Sequence, residues 1–243
     1  MRSKIELQPA YVLHTHAFQN TSLLVDFFCI DFGRVRAVAK GARRPGSKTR
    51  ALLQPFQPLL ISLSGRTDLK SLVSIESSVN ALRLHGTRLF SGLYINELIV
   101  RLLSYQEGSP ELYASYQEAV VALSGERDLQ GVLRKFELSL LEALGYGVDL
   151  LADCYSAEPI SPQAYYLFHP DIGFECLPSL SPEQRSNPAV FNGAELIALR
   201  SGEFSDKNLS NAARRLTRMA LQPHLGDKPL ASRDLFLKST KPQ

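Results

Sequence analysis

Up to about Ser78 the chain is written in short strand-like runs. AYVLHTHAF, TSLLVDFFCI, GRVRAVAK, PLLISLSG and LKSLVSIES are rich in β-branched and aromatic residues. Asp31-Phe32-Gly33 is a tight turn between the second and third runs, because glycine accepts positive φ without penalty. Five strands in so short a segment predict a small closed barrel, since closure removes the edges an open sheet would expose. An OB-type barrel leads; an SH3-like barrel has a similar pattern.

Beyond about residue 85 the apolar period becomes helical. In LFSGLYINELIVRLL the positions Leu89, Leu93, Leu98 and Leu102 recur at helical spacing. Ser109-Pro110-Glu111 reads as a helix start, with an N-cap, a first-position proline and an acid in the first turn. That helix runs to about Leu123 and stops at Ser124-Gly125. A third, Arg127 to Leu144, ends at Gly145, and a last one runs roughly from Asp206 to Leu221. The segment 150–190 has many prolines and no clear period, which predicts loops. The class is therefore α+β: a five-stranded OB-type barrel over 1–80, then a mainly helical domain over 81–243. No internal repeat is visible.

Composition adds little until charge is located. The 243 residues are 44% hydrophobic, enough for a sizeable core. No apolar run approaches the roughly 20 residues of a membrane span, and MRSKIELQPAYVLHTH has no signal-peptide core. Three widely spaced cysteines, Cys29, Cys154 and Cys176, are poor material for a disulfide framework. The expectation is a soluble, cytoplasmic protein. The formal net charge is only +3, yet from Arg34 to Arg50 there are seven basic side chains and no acid. On a strand, Arg34, Arg36 and Lys40 share one face while Val35, Ala37 and Ala39 face the core. The loop GARRPGSKTR adds Arg43, Arg44, Lys48 and Arg50 on a flexible connection. A barrel face with a basic loop suits a phosphate backbone; a merely solvated loop is the competing reading. Phe32 and Phe56 flank the patch, and the core reading is favoured for both.

Two helices carry further cations. In the last helix Arg214, Arg215 and Arg218 fall within one arc of roughly 100°, opposite Leu209, Ala213, Leu216 and Ala220. With Lys228 and Arg233 following, this is either a second phosphate contact or a wet amphipathic face. In the third helix Val132, Leu133, Phe136, Leu140 and Leu144 form a core stripe. Arg127, Arg134 and Lys135 lie on the other side, with Leu138 between them and Leu141 at their border. Apolar residues amid cations fit an acidic peptide with a hydrophobic anchor, or Leu138 packs on a neighbouring helix.

Signals for catalysis and metals are weak. His14 and His16 share a strand face, and Cys154, His169 and Cys176 offer three zinc ligands where a structural site wants four. No nucleophile elbow, phosphate-binding loop or His-Glu-x-x-His motif occurs. The reading is a non-enzyme with no cofactor and no metal.

The runs YVLHTHAFQNTSLLVDFF, GRVRAVAKGARRPGS, ALLQPFQPLLISLSGR, SGLYINELIVRLL, RKFELSLLEALGYGVDL and LTRMALQPHLGDKPLASRDLF closely resemble the bacterial RecO family, from about Ala10 to Phe236. The order VAKGARR, LQPF, YINEL is highly specific. The resemblance implies a recombination mediator in DNA repair. Such a protein binds single- and double-stranded DNA, anneals complementary strands and helps load RecA onto DNA coated by single-strand-binding protein. It implies an N-terminal OB domain with Arg34, Arg36, Lys40, Arg43 and Arg44 in its DNA-binding part. It also implies a helical domain that takes the acidic C-terminal tail of the single-strand-binding protein, giving Arg127, Arg134, Lys135 and Leu138 a candidate ligand. RecR is the implied partner, with RecF a further candidate, and the setting is the nucleoid. Many members carry two Cys-x-x-Cys zinc pairs after the GYG motif. This chain keeps only Cys154 and Cys176, so 150–190 is expected to be a degenerate zinc-finger-like segment without zinc. The runner-up is an OB protein acting on ribosomal or transfer RNA. A metal-dependent nuclease is disfavoured because no carboxylate cluster accompanies the basic stretch.

Overall fold

The computed structural model describes residues 4–77, 79, 82–202, 204 and 206–239. Two compact units emerge: Met1–Glu126 together with Pro229–Gln243, and Arg127–Lys228. The barrel expected over 1–80 therefore shares its unit with helices expected in the second domain.

Five strands close the barrel in the order β1-β2-β3-β5-β4: β1 (Lys4–Phe18), β2 (Ser22–Cys29), β3 (Gly33–Ala39), β4 (Leu59–Ser64) and β5 (Lys70–Glu76). Only β3 and β5 pair in parallel, through Ala37↔Lys70 and Val38↔Ser71. This is the OB arrangement expected from the run spacing. Alternation sends Val12, Val25, Phe27, Val35, Ala37, Ile61 and Leu63 into the interior, where each is almost wholly buried. The strand β1 is longer than its sequence pattern suggests. It pairs with β4 over Lys4–Ala10 and with β2 over Ala10–Phe18, and bulges at Ile5/Gln8 and Val12/His14 bend it between the two partners. Between β3 and β4 lies the short helix α1 (Lys48–Leu52).

Two helices complete the outer wall: α2 (Gly86–Leu102) and α3 (Pro110–Ser124). The leucine stripe expected on α2 is only partly the buried one. Ser91, Gly92, Ile95, Asn96, Leu98 and Ile99 are buried, whereas Leu89, Leu93 and Leu102 are half-exposed. Small residues face inward because α2 runs close to its neighbours. A Cβ on Gly92 would stand within 2.8 Å of the Phe56 ring, and Phe56 is core, as expected. The bulge in β1 also explains Asn96. Its amide donates to the carbonyls of Val12 and Leu13, and its oxygen accepts from Tyr116 Oη at 2.8 Å. A buried amide thus satisfies carbonyls at the break in the ladder. Ser109 caps α3 as its sequence signature requires. Tyr113 and Tyr116, one turn apart, pack against Tyr11 and Phe28 of the barrel with centroids 5.0–5.6 Å apart.

In the second unit, α4 (Leu129–Ala143) is followed by a three-stranded antiparallel sheet ordered β7-β6-β8, from β6 (Tyr165–His169), β7 (Gly173–Leu177) and β8 (Val190–Asn192). The short helix α5 (Pro182–Arg185) precedes β8, and α6 (Gly193–Arg200) and α7 (Lys207–Leu225) follow it. The segment expected to be loops is therefore built on a sheet, its aromatic core being Phe168, Phe174 and Phe191. Alternation over strands of only three to five residues is too short to register as a period. The helix α7 passes Pro223 and ends at Gly226, whose φ is +66°. The chain then returns to the first unit through α8 (Ala231–Ser239), an element with no place in the sequence reading.

Candidate nucleic-acid interface

The basic loop leaves β3 at Lys40 and is held by hydrogen bonds rather than swinging freely. Ala42 is fully buried beneath it, Arg43 N donates to Thr21 O at 2.8 Å, and the Arg43 guanidinium donates to Gln19 O. Positive φ at Gly41 and Gly46 turns the chain, and the Ser47 hydroxyl accepts from Arg50 N to start α1. Lys40, Arg43, Arg44, Lys48 and Arg50 are all exposed. Arg44, Ser47, Arg50 and Gln54 border a shallow notch in this surface. Five cations thus stand on an ordered scaffold.

Arg34 and Arg36 are used differently. Both project from the outer face of β3, as alternation requires, but Arg34 is 8% exposed. Its guanidinium donates to Val100 O and to Tyr105 Oη and lies 3.5 Å from Asp26. Arg36, half-buried, makes a two-pronged pair with the Asp26 carboxylate, 2.9 Å on each side. That pairing, ahead of the opposing effect of burial, raises the Arg36 pKa. Arg34 is therefore a structural cation beneath the α2–α3 loop, not a member of the exposed patch. Strand alternation gives the outward direction of both side chains, but nothing in the sequence reveals that helices cover part of the outer face. Tyr105 and Asp26, the hub of this cluster, were missed for the same reason. The β2–β3 turn is locked against that loop too, since a Cβ on Gly33 would run into the Glu107 carbonyl.

The second unit divides its cations in the same way. Arg214 and Arg218 are exposed on α7, while Arg215 donates to Val190 O at 3.1 Å and lies over the Phe191 ring. Arg127 precedes α4 and is exposed, Lys135 is exposed and Leu138 is half-buried. Arg134, expected beside them, is buried, bonding Glu137 Oε1 at 2.8 Å and Thr217 Oγ1 of α7 at 3.2 Å. It sits one position from the predicted stripe, and the carboxylate three residues on draws it inward.

Residues 1–79 match the family description "Recombination protein O N terminal", and residues 83–234 match "Recombination protein O C terminal". The chain belongs to the RecO family. It is 43% identical over 227 residues to the DNA repair protein RecO of Actinobacillus pleuropneumoniae serotype 7 (strain AP76), covering 93% of this chain and 92% of that one. To the DNA repair protein RecO of Tolumonas auensis it is 42% identical over 235 residues, 95% of each chain. With the Haemophilus influenzae (strain PittGG) RecO it shares 40% over 234 residues, 96% of this chain and 97% of its relative. Membership places the chain in DNA repair and recombination. Among the described residues no helix is long and apolar enough to cross a membrane.

The zinc of many RecO proteins can be tested against the donors present here. Cys154 is half-buried and Cys176 is exposed. Among the described residues no three His, Cys, Asp or Glu side chains converge on one point. His169 pairs instead with Glu175 at 2.7 Å. Between the two cysteines the tie is a carboxylate: Asp153 accepts N–H groups of Tyr155, Ser156 and Cys176. Those bonds, the one from Ser156 largest, outweigh burial and hold the Asp153 carboxyl down at about 2. The donor set does not fit a closed zinc site, which wants four converging ligands.

Proposed function

We propose that this RecO-family chain is a non-catalytic mediator that holds DNA on its basic loop, anneals complementary strands and assists loading of RecA onto coated single strands. The observation that carries the reading is the ordered loop bearing Lys40, Arg43, Arg44, Lys48 and Arg50, with no acid from Lys40 to Arg50. Two DNA strands repel one another; a cationic surface that contacts both lowers that cost and leaves the bases free to pair. No bond is made or broken, so the reading requires no cofactor. Arg214 and Arg218 are proposed as a second phosphate contact. Arg34 is left out, because its guanidinium is already engaged, and Arg36 contributes only its half-exposed charge.

For the acidic tail of the single-strand-binding protein we propose Lys135, Arg127 and Leu138, without Arg134. Cations near a partly exposed apolar position are what a carboxylate-rich peptide with a hydrophobic end requires. RecR is proposed as a partner, RecF as a further one.

Annealing of complementary oligonucleotides coated with single-strand-binding protein tests the reading. The parent protein should accelerate it, and a variant with Arg43, Arg44 and Arg50 changed to alanine should not. Equal rates with and without the protein would remove the proposed role. Tighter binding to matched RNA than to DNA would instead favour an RNA-directed protein.

A further inference from the structure

The α2–α3 loop lays an aromatic ring on the outside of the barrel. Tyr105 bridges to Gly33 and Arg34 of β3, and Gln106 N donates to Arg34 O at 3.0 Å, so the loop backbone is fixed to the strand. The side chain is fixed as well. The Arg34 guanidinium lies 4.1 Å from the ring centroid and bonds the hydroxyl, which also reaches Asp26 Oδ1 at 3.3 Å. Arg36 stands 5.3 Å from the centroid. Despite these contacts Tyr105 is 40% exposed.

Its surroundings are polar and positive. Strand register sets His14, Asp26 and Arg36 in one row across β1, β2 and β3. Two guanidinium groups share the single Asp26 carboxylate, which leaves a net positive charge beside the ring. His14 and His16, both exposed, meet edge to face with centroids 4.1 Å apart. From Arg36 the same strand leads to Lys40, four residues or about 13 Å along, where the basic loop begins. That loop is tied to the β1–β2 turn by Arg43.

We infer that Tyr105, with Arg34 and Arg36 against its ring, is a base-stacking subsite for single-stranded nucleic acid, continuous with the basic loop. The inference rests on the DNA-binding reading and adds to it the contact that tells single strands from duplex. Phosphates held at the loop would let a strand run back over the outer face of β3, bringing an unpaired base onto the ring. A ring already immobilised by Arg34 loses little freedom when a base lands on it, so more of the stacking is realised as affinity. Bases inside a duplex are stacked on each other and cannot reach it.

The chain contains no tryptophan, so Tyr105→Trp introduces a single reporter at this position. Its emission should be quenched by oligo(dT) and change little with a duplex of equal length. Tyr105→Leu should weaken oligo(dT) binding roughly five-fold to a hundred-fold, the range for one lost base–aromatic stack, and leave duplex binding as in the parent. Tyr105→Phe, which keeps the ring and loses only the hydroxyl, should bind oligo(dT) nearly as the parent does. Oligo(dT) binding without any change in tryptophan emission would overturn the inference. So would a Tyr105→Leu variant that keeps parental affinity, or that loses single-strand and duplex binding equally. A parent protein that binds neither nucleic acid would remove the DNA-binding reading itself, and this subsite with it.

Discussion

Glu97 of α2 accepts both the backbone N–H and the hydroxyl of Ser232 in α8, at 2.8 and 2.6 Å. Its other oxygen accepts Ala231 N at 2.8 Å, so one carboxylate caps a helix that begins 134 residues later. Burial opposes ionisation of Glu97, but the bonds from Ser232 and Ala231, with the Arg101 charge, prevail and lower its pKa. The folded value is depressed, so the stabilisation is complete above the unfolded carboxyl pKa and disappears as pH falls below it. Glu97→Ala should cost roughly 1–3 kcal/mol at neutral pH. Urea melts should find that difference shrinking towards zero as pH is lowered through the acid range.

Asp153 makes a sharper acid prediction. Its folded pKa of about 2 lies below the unfolded value near ~3.9, so the tie it makes is intact above pH ~4 and fails between there and pH 2. Asp153→Ala leaves three N–H groups without their acceptor and should lower stability by roughly 2 kcal/mol or more. Replacing Cys154 and Cys176 together by serine should cost under about 1 kcal/mol, because the Cys176 contact with Tyr166 is one a serine hydroxyl can also make. Thermal denaturation of the three proteins, with and without chelator, checks both statements; a large loss in the double serine variant would restore a metal-type role for the thiols.

The basic loop and Arg34 should separate cleanly in a salt titration. For single strands the log–log slope is about −0.7 per phosphate contact, so five loop cations permit up to roughly −3.5. Arg43→Ala with Arg44→Ala should flatten the slope by about 1.4 and lower the melting temperature only slightly, because the exposed Arg43–Gln19 bond is lost while the backbone bond to Thr21 stays. Arg34→Ala should do the reverse, lowering stability by roughly 1–3 kcal/mol through its lost bonds to Val100 and Tyr105. Fluorescence anisotropy at several salt concentrations, paired with melts, distinguishes the two.

Arg134 and Leu138 should part company in the same manner. Removing Arg134 breaks its buried pair with Glu137 and its bond to Thr217, and should cost on the order of 3–5 kcal/mol of folding stability. Leu138→Ala should weaken an acidic tail peptide by roughly 1–2 kcal/mol. Lys135→Ala should remove only about 0.2–1 kcal/mol, most of it at low salt. Calorimetric titration of a tail peptide into the folded variants measures all three.

Legibility followed the physics of each element. Alternation in β2 to β5 and the Ser109-Pro110-Glu111 start were readable because they are local patterns. The six residues Lys4–Pro9 were not, since Gln8-Pro9 interrupts the pattern and a bulge lets the strand bend. The cations of the loop were found because charge without compensation is visible in one dimension. The partners of Arg34 and Arg134 were not, because Tyr105 and Thr217 lie 71 and 83 residues away and carry no periodic signature. Arginine on a strand or helix declares its charge but not whether a distant acceptor claims it.

The composition of the first unit from two separated stretches has a consequence for synthesis. A ribosome delivers Met1–Glu126, then all of Arg127–Lys228, before the helix that Glu97 caps exists. At bacterial elongation rates of about 5–20 residues per second, that interval is on the order of ten seconds. Throughout it the face of α2 that receives α8 stands uncovered, and the Glu97 carboxylate faces water. The inserted unit can reach its native state while the older part of the nascent chain is still waiting for its last helix.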